Sequence, residues 1–231
     1  LTESLFGIVL SQLRKPGAPM IIGGLMSNMD MRTTVYCYGS PEMALLSAAY
    51  TQITKWLGVP MYETAGCSDA KMFDEQAAME ATFNATTAAL VGGNMIHDVG
   101  YLEQGLTSSM EMMVASNEII SRVKRILRGI PVDDRSKALD VIKDVGPGGH
   151  YLEHDHTYTQ FKDLIWQGEL TDRQNWEAWD LGGRQTFRER VHDKVLEILE
   201  ADTEPLMDED MYEELRHICE LADERHKDEE L

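Results

Sequence analysis

Positive charge is what this chain has least of. Lys and Arg total 21 against 40 Asp and Glu, a net charge of −19 at pH 7 and an isoelectric point near 4.6. Such a surface repels a phosphate backbone and offers it no basic patch, which sets nucleic acid and anionic membrane aside as partners. Cysteine is also scarce. Cys37, Cys67 and Cys219 are odd in number, widely spaced and without a CxxC pair, so neither a disulfide framework nor a structural zinc site is signalled, and reduced thiols in a cytoplasmic protein are expected. No apolar run approaches the ~20 residues of a membrane span, and no signal-peptide pattern opens the chain. GxSxG, GxGxxG and GK[ST] are all missing, which removes the main sequence support for a serine hydrolase, a Rossmann dehydrogenase or a P-loop enzyme.

What is present is a repeated strand-helix pattern in 231 residues, 43% of them hydrophobic. Thr2 to Leu13 reads as an amphipathic helix ending at Lys15-Pro16-Gly17. A chain that begins with Leu1 inside such a helix is expected to be cut from a longer protein. Ala18 to Leu25 has the apolar run of a strand buried on both faces and opens into the loop Met26 to Arg32. Ser40-Pro41-Glu42 then starts a helix that carries Met43, Leu46, Ala49, Ile53 and Leu57 on one face up to Gly58. The pattern recurs with the strand Val59 to Ala65, the polar exit Gly66 to Lys71, and an alanine-rich helix from about Asp74 to Leu90. It recurs again with a strand at Asn94, polar side chains from His97 to Glu103, and a Ser-capped helix from Met110 to Arg128. About three such units predict a parallel sheet, doubly wound or part of an eight-stranded barrel.

After Pro131 the character changes to short helices. Asp134 to Val145 reads as one helix, and Thr157 to Gln160 and Thr171 to Gln174 as capping boxes of two more. A break is expected at Gly182-Gly183 within the segment running from Trp176 to Leu199. From Asp202 the chain is acidic, with Met207, Met211, Leu215, Ile218 and Leu221 as the stripe of a last helix.

In a parallel α/β fold, ligands bind beyond the carboxyl ends of the strands. The side chains at those exits are Asp30 and Arg32, then Glu63 and Asp69 with Cys67 and Ser68, then His97, Asp98, Tyr101 and Glu103, with Tyr36, Tyr38, Tyr62 and Phe73 nearby. Carboxylates interleaved with aromatic rings suit a cation, above all a quaternary ammonium held through charge and ring faces. The same residues could instead be internal pairs, His97 with Asp98 and Asp30 with Arg32. A second grouping, His150, His154 and His156 with Glu153 and Asp155 between them, has the ligand types of a borderline metal but no recognised spacing.

Met29-Asp-Met-Arg-Thr33, Tyr38-Gly-Ser-Pro-Glu42, Ala65-Gly-Cys-Ser-Asp-Ala-Lys71, His97-Asp-Val-Gly-Tyr-Leu-Glu103, Arg125-Ile-Leu-Arg-Gly129 and Gly146-Pro-Gly-Gly-His150 resemble, in order, the carboxyl-terminal half of the trimethylamine methyltransferase family. The resemblance implies part of a (β/α)8 TIM barrel over residues 1–130 and a helical carboxyl-terminal extension over 131–231. It implies an enzyme that moves a methyl group from a methylated amine to the cobalt of a corrinoid on a separate cognate protein, with no metal bound by this chain. Some members contain pyrrolysine; this chain has none, and relatives without it include glycine betaine demethylases. A quaternary nitrogen leaves as a neutral amine, so binding, orientation and desolvation are the protein's main tasks. On this view His97, Asp98, Tyr101 and Glu103 are substrate-contacting or mouth-lining residues, followed by Asp69 and Glu63 and then Asp30 and Arg32, where Arg32 suits a betaine carboxylate. A homo-oligomer is expected. The alternatives are a metal-dependent barrel hydrolase or lyase built on His150 to His156, and a non-catalytic barrel fragment whose acidic tail binds a partner.

Overall fold

Helix starts and stops are set locally by residues that satisfy the free backbone groups of a first or last turn. Helix α2 (Pro41–Leu57) begins where the Ser40 hydroxyl accepts from Met43 N at 3.2 Å, with Pro41 in the first turn, and ends on the left-handed Gly58. Helix α3 (Glu75–Val91) begins where Asp74 accepts from Ala77 N at 2.9 Å and ends on Gly92. Helix α4 (Met110–Leu127) begins where Ser109 accepts from Met112 N at 3.2 Å. These are the boundaries that the sequence predicts. Helix α1 is Thr2–Arg14.

The computed structural model describes residues 1–201, 207–225 and 227. Leu1–Val195 form one unit and Leu196–Leu231 a second. Within the first, β1 (Ile22–Gly23), β4 (Met61–Thr64) and β5 (Met95–His97) form a parallel sheet in the order β1-β4-β5. Two antiparallel hairpins stand at its exits. One joins β2 (Met29–Asp30) to β3 (Val35–Tyr36); the other joins β6 (Tyr101–Leu102) to β7 (Thr107–Ser108).

The register Ile22↔Met61 and Glu63↔Ile96 puts these residues on one face of the sheet, the helix-covered one. Met61 and Ala65 are fully buried there, and the alanine stripe Ala77, Ala81, Ala85 and Ala88 lets α3 lie close over them. Gly23, Tyr62, Met95, Thr64 and His97 take the other face. No helix covers it among the described residues, and Ile21, Tyr62 and Met95 are 52%, 39% and 49% exposed. One face of this sheet is dry; the other is open at Ile21, Tyr62 and Met95 and closed over Thr64, which is 3% exposed.

The segment from Leu164 to Thr171 braces α4. Glu118 on α4 is buried and accepts from Glu169 N, Leu170 N, Thr171 N and the Thr171 hydroxyl at 2.8–3.3 Å. Arg125 donates Nε and Nη2 to Leu164 O, at the end of α7 (Asp155–Leu164). In the second unit, α10 (Glu209–Arg225) carries Met211, Leu215, Ile218 and Leu221 as an exposed stripe. The acidic start of that region, Asp202 to Leu206, lies outside the described residues.

Several expectations need correction. The first sheet strand is two residues, not Ala18 to Leu25, because the partner β4 meets it only at Ile22↔Met61 and Gly23↔Tyr62. The predicted loop Met26 to Arg32 contains hairpin strand β2, since Asp30 Oδ1 accepts from Arg32 N and Thr33 N and closes the turn. The helix expected over Asp134 to Val145 is two, α5 (Asp134–Lys137) and α6 (Leu139–Val145), parted by Ala138 at φ 50°. Thr157 and Thr171 cap nothing. His154 caps α7, Asn175 caps α8 (Trp176–Leu181), and reciprocal bonds form between Asp133 and Ser136 and between Thr186 and Glu189, at the start of α9 (Phe187–Glu200).

Removing the Glu118 carboxylate strands four donors in a mostly buried place. Glu118→Ala is expected to lower unfolding stability by about 3 kcal/mol, and Glu118→Gln by roughly a third of that. Urea denaturation followed by tryptophan fluorescence measures both; equal midpoints for wild type and Glu118→Ala would refute the role.

Candidate active site

The exit loops after β4 and β5 continue the sheet without being strands. Ala65 N donates to His97 O, Gly100 N to Gly66 O, Ser68 N to Tyr101 O and Glu103 N to Ala70 O, all at 2.9–3.1 Å. This pairing needs Gly66 at φ 77° and Gly100 at φ 95°, where any Cβ is strained. At Gly66 it would also sit 3.0 Å from the Val99 side chain.

Helix α3 fixes the first of these loops from below. The buried Asn84 accepts from Gly66 N at 2.7 Å and donates to Cys67 O at 2.9 Å. One turn earlier, Glu80 Oε2 accepts from the Ser68 hydroxyl at 2.6 Å and Asp69 N at 2.9 Å. Asp69 then reaches the third loop, where its two oxygens accept from Tyr38 N at 2.6 Å, Gly39 N at 3.0 Å and Gln104 Nε2 at 3.3 Å. Asp69 therefore holds loops together through two backbone amides and the Gln104 side chain.

At the end of β5 the polar residues converge. His97 stacks on Tyr62 with ring centroids 3.9 Å apart and planes 11° from parallel. Its Nδ1 lies 2.7 Å from Asp98 Oδ1 and its Nε2 lies 3.2 Å from the Thr64 hydroxyl. A carboxylate can only accept, so Nδ1 carries a proton and donates it to Asp98. Asp98 has φ 68°, a strained value for a non-glycine residue. Its charge is felt at Tyr38 and Cys67. Burial foremost, and then Asp98, push both the Tyr38 hydroxyl and the Cys67 thiol up to about 12. Tyr36 meets Tyr38 edge-on at 5.8 Å, and Tyr101, 41% exposed, also lies within electrostatic range of Tyr38. Tyr38, Tyr62 and Tyr101 thus lie near His97 and the Asp98 carboxylate where β5 ends, with Tyr36 set against Tyr38.

The predicted residues divide accordingly. His97, Asp98 and Tyr101 come together with Tyr36, Tyr38 and Tyr62. Glu103, at φ 48°, braces its own hairpin by accepting from the Thr107 hydroxyl at 3.0 Å. Asp30 and Arg32 pair at 2.8 Å in the β2–β3 turn, where the guanidinium, foremost by its side-chain hydrogen bond, holds the carboxyl down at about 2. With Asp69, Lys71 and Gln104 they line a cleft of about 580 Å³ beside the tyrosines. Glu63 is misplaced in the sequence reading. Strand alternation sends it to the helix face, where it is 1% exposed and Oε2 accepts from the Thr51 hydroxyl at 3.1 Å, while Oε1 has no partner.

Two members of the histidine group, His154 and His156, make local contacts at the start of α7. His154 Nδ1 accepts from His156 N at 3.0 Å and its Nε2 lies 3.4 Å from Asp144; His156 Nε2 lies 2.9 Å from Arg135 O. Among the described residues, no three side chains of metal-binding type gather at one point. The sequence reading missed Glu80 and Asn84. Asn84 was visible as the one amide among Ala77, Ala81, Ala85 and Ala88 on the buried face of α3.

Comparison with known proteins gives a consistent match. The family model of trimethylamine methyltransferase covers residues 1–227. A trimethylamine methyltransferase MttB of Desulfitobacterium hafniense is 34% identical over 97% of this chain and 45% of its own length. One from Methanosarcina barkeri is 36% identical over 96% and 44%. A glycine betaine methyltransferase of Desulfitobacterium hafniense is 34% identical over 89% and 43%. The chain spans about half the length of these relatives.

Burial raises the pKa of Glu63, so the folded state holds its proton to higher pH than the unfolded chain does. Its contribution to stability falls as pH climbs from the ordinary carboxylate range through that raised value. Glu63→Gln removes the titration and should flatten this decline. Unfolding midpoints from pH 4 to pH 8 test it, and an unchanged slope in the variant would contradict the assignment.

Proposed function

The chain belongs to the trimethylamine methyltransferase family, and on that premise we propose that the protein carrying it takes a methyl group from a methylated amine, preferably a quaternary amine such as glycine betaine, and delivers it to a corrinoid held by a separate protein. The observation that supports this most is the closeness of Tyr38 and Tyr101 to Asp98, beside the His97–Tyr62 stack at the end of β5. A quaternary ammonium has no N–H to donate, so ring faces and charge are what can hold it. The names of the relatives include both trimethylamine and glycine betaine methyltransferases, which fits a site for a methylated nitrogen.

The corrinoid supplies a nucleophilic Co(I). The chain's own residues bind and orient. Asp98 offsets the ammonium charge in the bound state, and His97, locked between Tyr62, Thr64 and Asp98, keeps that carboxylate in one position. Because the amine leaves neutral, no residue needs to give or take a proton. Water exclusion by the tyrosines strengthens the Asp98 attraction by lowering the local dielectric. Arg32, 89% exposed at its side chain, has guanidinium nitrogen left over from Asp30 for a betaine carboxylate.

The architecture suits the same reading. Three parallel strands with their helices on one face and His97, Thr64 and Tyr62 on the other are what residues 1–130 would contribute to a (β/α)8 barrel, with the bare face as its interior. The described residues between 131 and 227 then belong to a helical extension, of which the segment held by Glu118 lies against α4. Three free thiols among the described residues suit a reducing cytoplasm.

Tyr101→Ala and Asp98→Asn are each expected to lower kcat/KM for glycine betaine by about a hundredfold, chiefly through KM, with unfolding midpoints unchanged. A neutral isostere with carbon in place of the quaternary nitrogen is expected to bind at least about tenfold more weakly than the betaine. The assay follows methylation of reduced cobalamin in the visible spectrum. Full activity in both variants would sink the reading.

A further inference from the structure

The β6–β7 hairpin turns through Gln104 and Gly105, and the turn is held from outside as well as from within. Leu106 N donates to Glu103 O at 3.0 Å across it, and Glu103 N donates to Ala70 O at 2.9 Å. Gln104 at φ 56° and Gly105 at φ 89° are both left-handed, a conformation that glutamine adopts only under constraint. The constraint is Asp69. Gln104 Nε2 donates to Asp69 Oδ1 at 3.3 Å, and the same oxygen accepts from Tyr38 N at 2.6 Å, so one carboxylate ties the turn to the backbone of Tyr38. The two also meet through the ring. A Cβ on Gly105 would lie 3.3 Å from Tyr38 Cε2, 3.4 Å from its hydroxyl oxygen and 3.6 Å from Cζ. The hydroxyl end of the ring therefore rests on the bare backbone of Gly105, and an added methyl would push it aside. That hydroxyl is also the part of Tyr38 on which the Asp98 charge acts.

We infer that Gly105 is a positioning residue for Tyr38: by having no side chain it lets the ring lie back against the turn, where it flanks a cation drawn to Asp98. The inference rests on the reading of this site as one for a methylated ammonium. Asp69 fixes the backbone of Tyr38, but a bonded amide leaves the ring free to choose among rotamers, and contacts at the ring make that choice. Gly105 supplies such a contact with backbone, which cannot swing away as a side chain would. The attraction between a cation and a ring acts within about 6 Å of the ring centroid, so a ring turned to another rotamer loses it. Tyr38, Asp69, Gln104 and Gly105 meet one another directly within this chain, and the arrangement stands whatever packs around it.

The test measures, by calorimetry and without any corrinoid, the binding of glycine betaine and of its isostere with carbon in place of nitrogen to the natural protein that carries this chain. Gly105→Ala is expected to raise the dissociation constant of the betaine about tenfold and to leave that of the isostere within about twofold, because a displaced ring weakens only the charged ligand. Tyr38→Ala alone should do at least as much to the betaine. Adding Gly105→Ala to Tyr38→Ala should then change nothing further, since the ring it acts through is gone. Gly105→Asn tolerates the left-handed backbone better but still carries a Cβ, so it should match Gly105→Ala in binding while losing less thermal stability. An unchanged betaine constant in both Gly105 variants overturns the positioning role. An equal loss with and without the Tyr38 ring, or an equal loss for both ligands, assigns the effect to strain in the turn and overturns it too. A wild type that binds no methylated ammonium refutes the reading of the site, and the role of Gly105 with it.

Discussion

The site depends on one buried amide. Asn84 is the point where a rigid helix takes hold of an otherwise irregular loop, accepting from Gly66 N and donating to Cys67 O. Without it, Gly66 N and Cys67 O would be backbone groups facing a dry core with nothing to bond, each costing on the order of a kcal/mol or more. With it, the loop after β4 has one conformation. That conformation presents Ser68 and Asp69 to Glu80, and Asp69 in turn gathers the loop containing Tyr38. Tyr38 is therefore placed by a relay of hydrogen bonds that begins in α3, and side-chain packing alone does not account for its position.

The chain separates support from chemistry by the two faces of its sheet. Met61, Glu63 and Ala65 alternate toward the helices, and Tyr62, Thr64 and His97 away from them. The helix side is close-packed because α3 offers alanine where it touches the strands. The other side keeps rings and polar groups within reach of a ligand. His97 illustrates the economy of that arrangement: a ring stack and two hydrogen bonds use both ring nitrogens and one face, so it orients Asp98 and has no nitrogen left for a ligand.

Much of this was legible in the sequence where the cause is local. Ser40, Asp74 and Ser109 announce their helices because a capping side chain acts within three residues, and the strand ends at Thr64 and His97 follow from apolar runs meeting polar ones. The His97–Asp98 pair was visible as adjacency. Glu63 was misplaced for a physical reason. A strand's exit and its face are different questions, and one step in alternation moves a carboxylate from a mouth to a core. The capping residues His154 and Asn175 were missed because histidine is an unusual cap and because Thr157 and Thr171 imitate the pattern. The Asp69 clamp was beyond reach, since its partners lie 30 and 31 residues away in a loop with no periodicity.

The paired exit loops have a further consequence for how such a protein could change its substrate over evolutionary time. Their backbones are tied to each other at Gly66 and Gly100 and to α3 at Asn84, so an insertion there would tear several bonds at once. The side chain of Tyr101, 41% exposed, is under no such backbone restraint. Diversification of ligand preference in this scaffold would therefore proceed by exchange of side chains on a fixed frame, with loop length held constant.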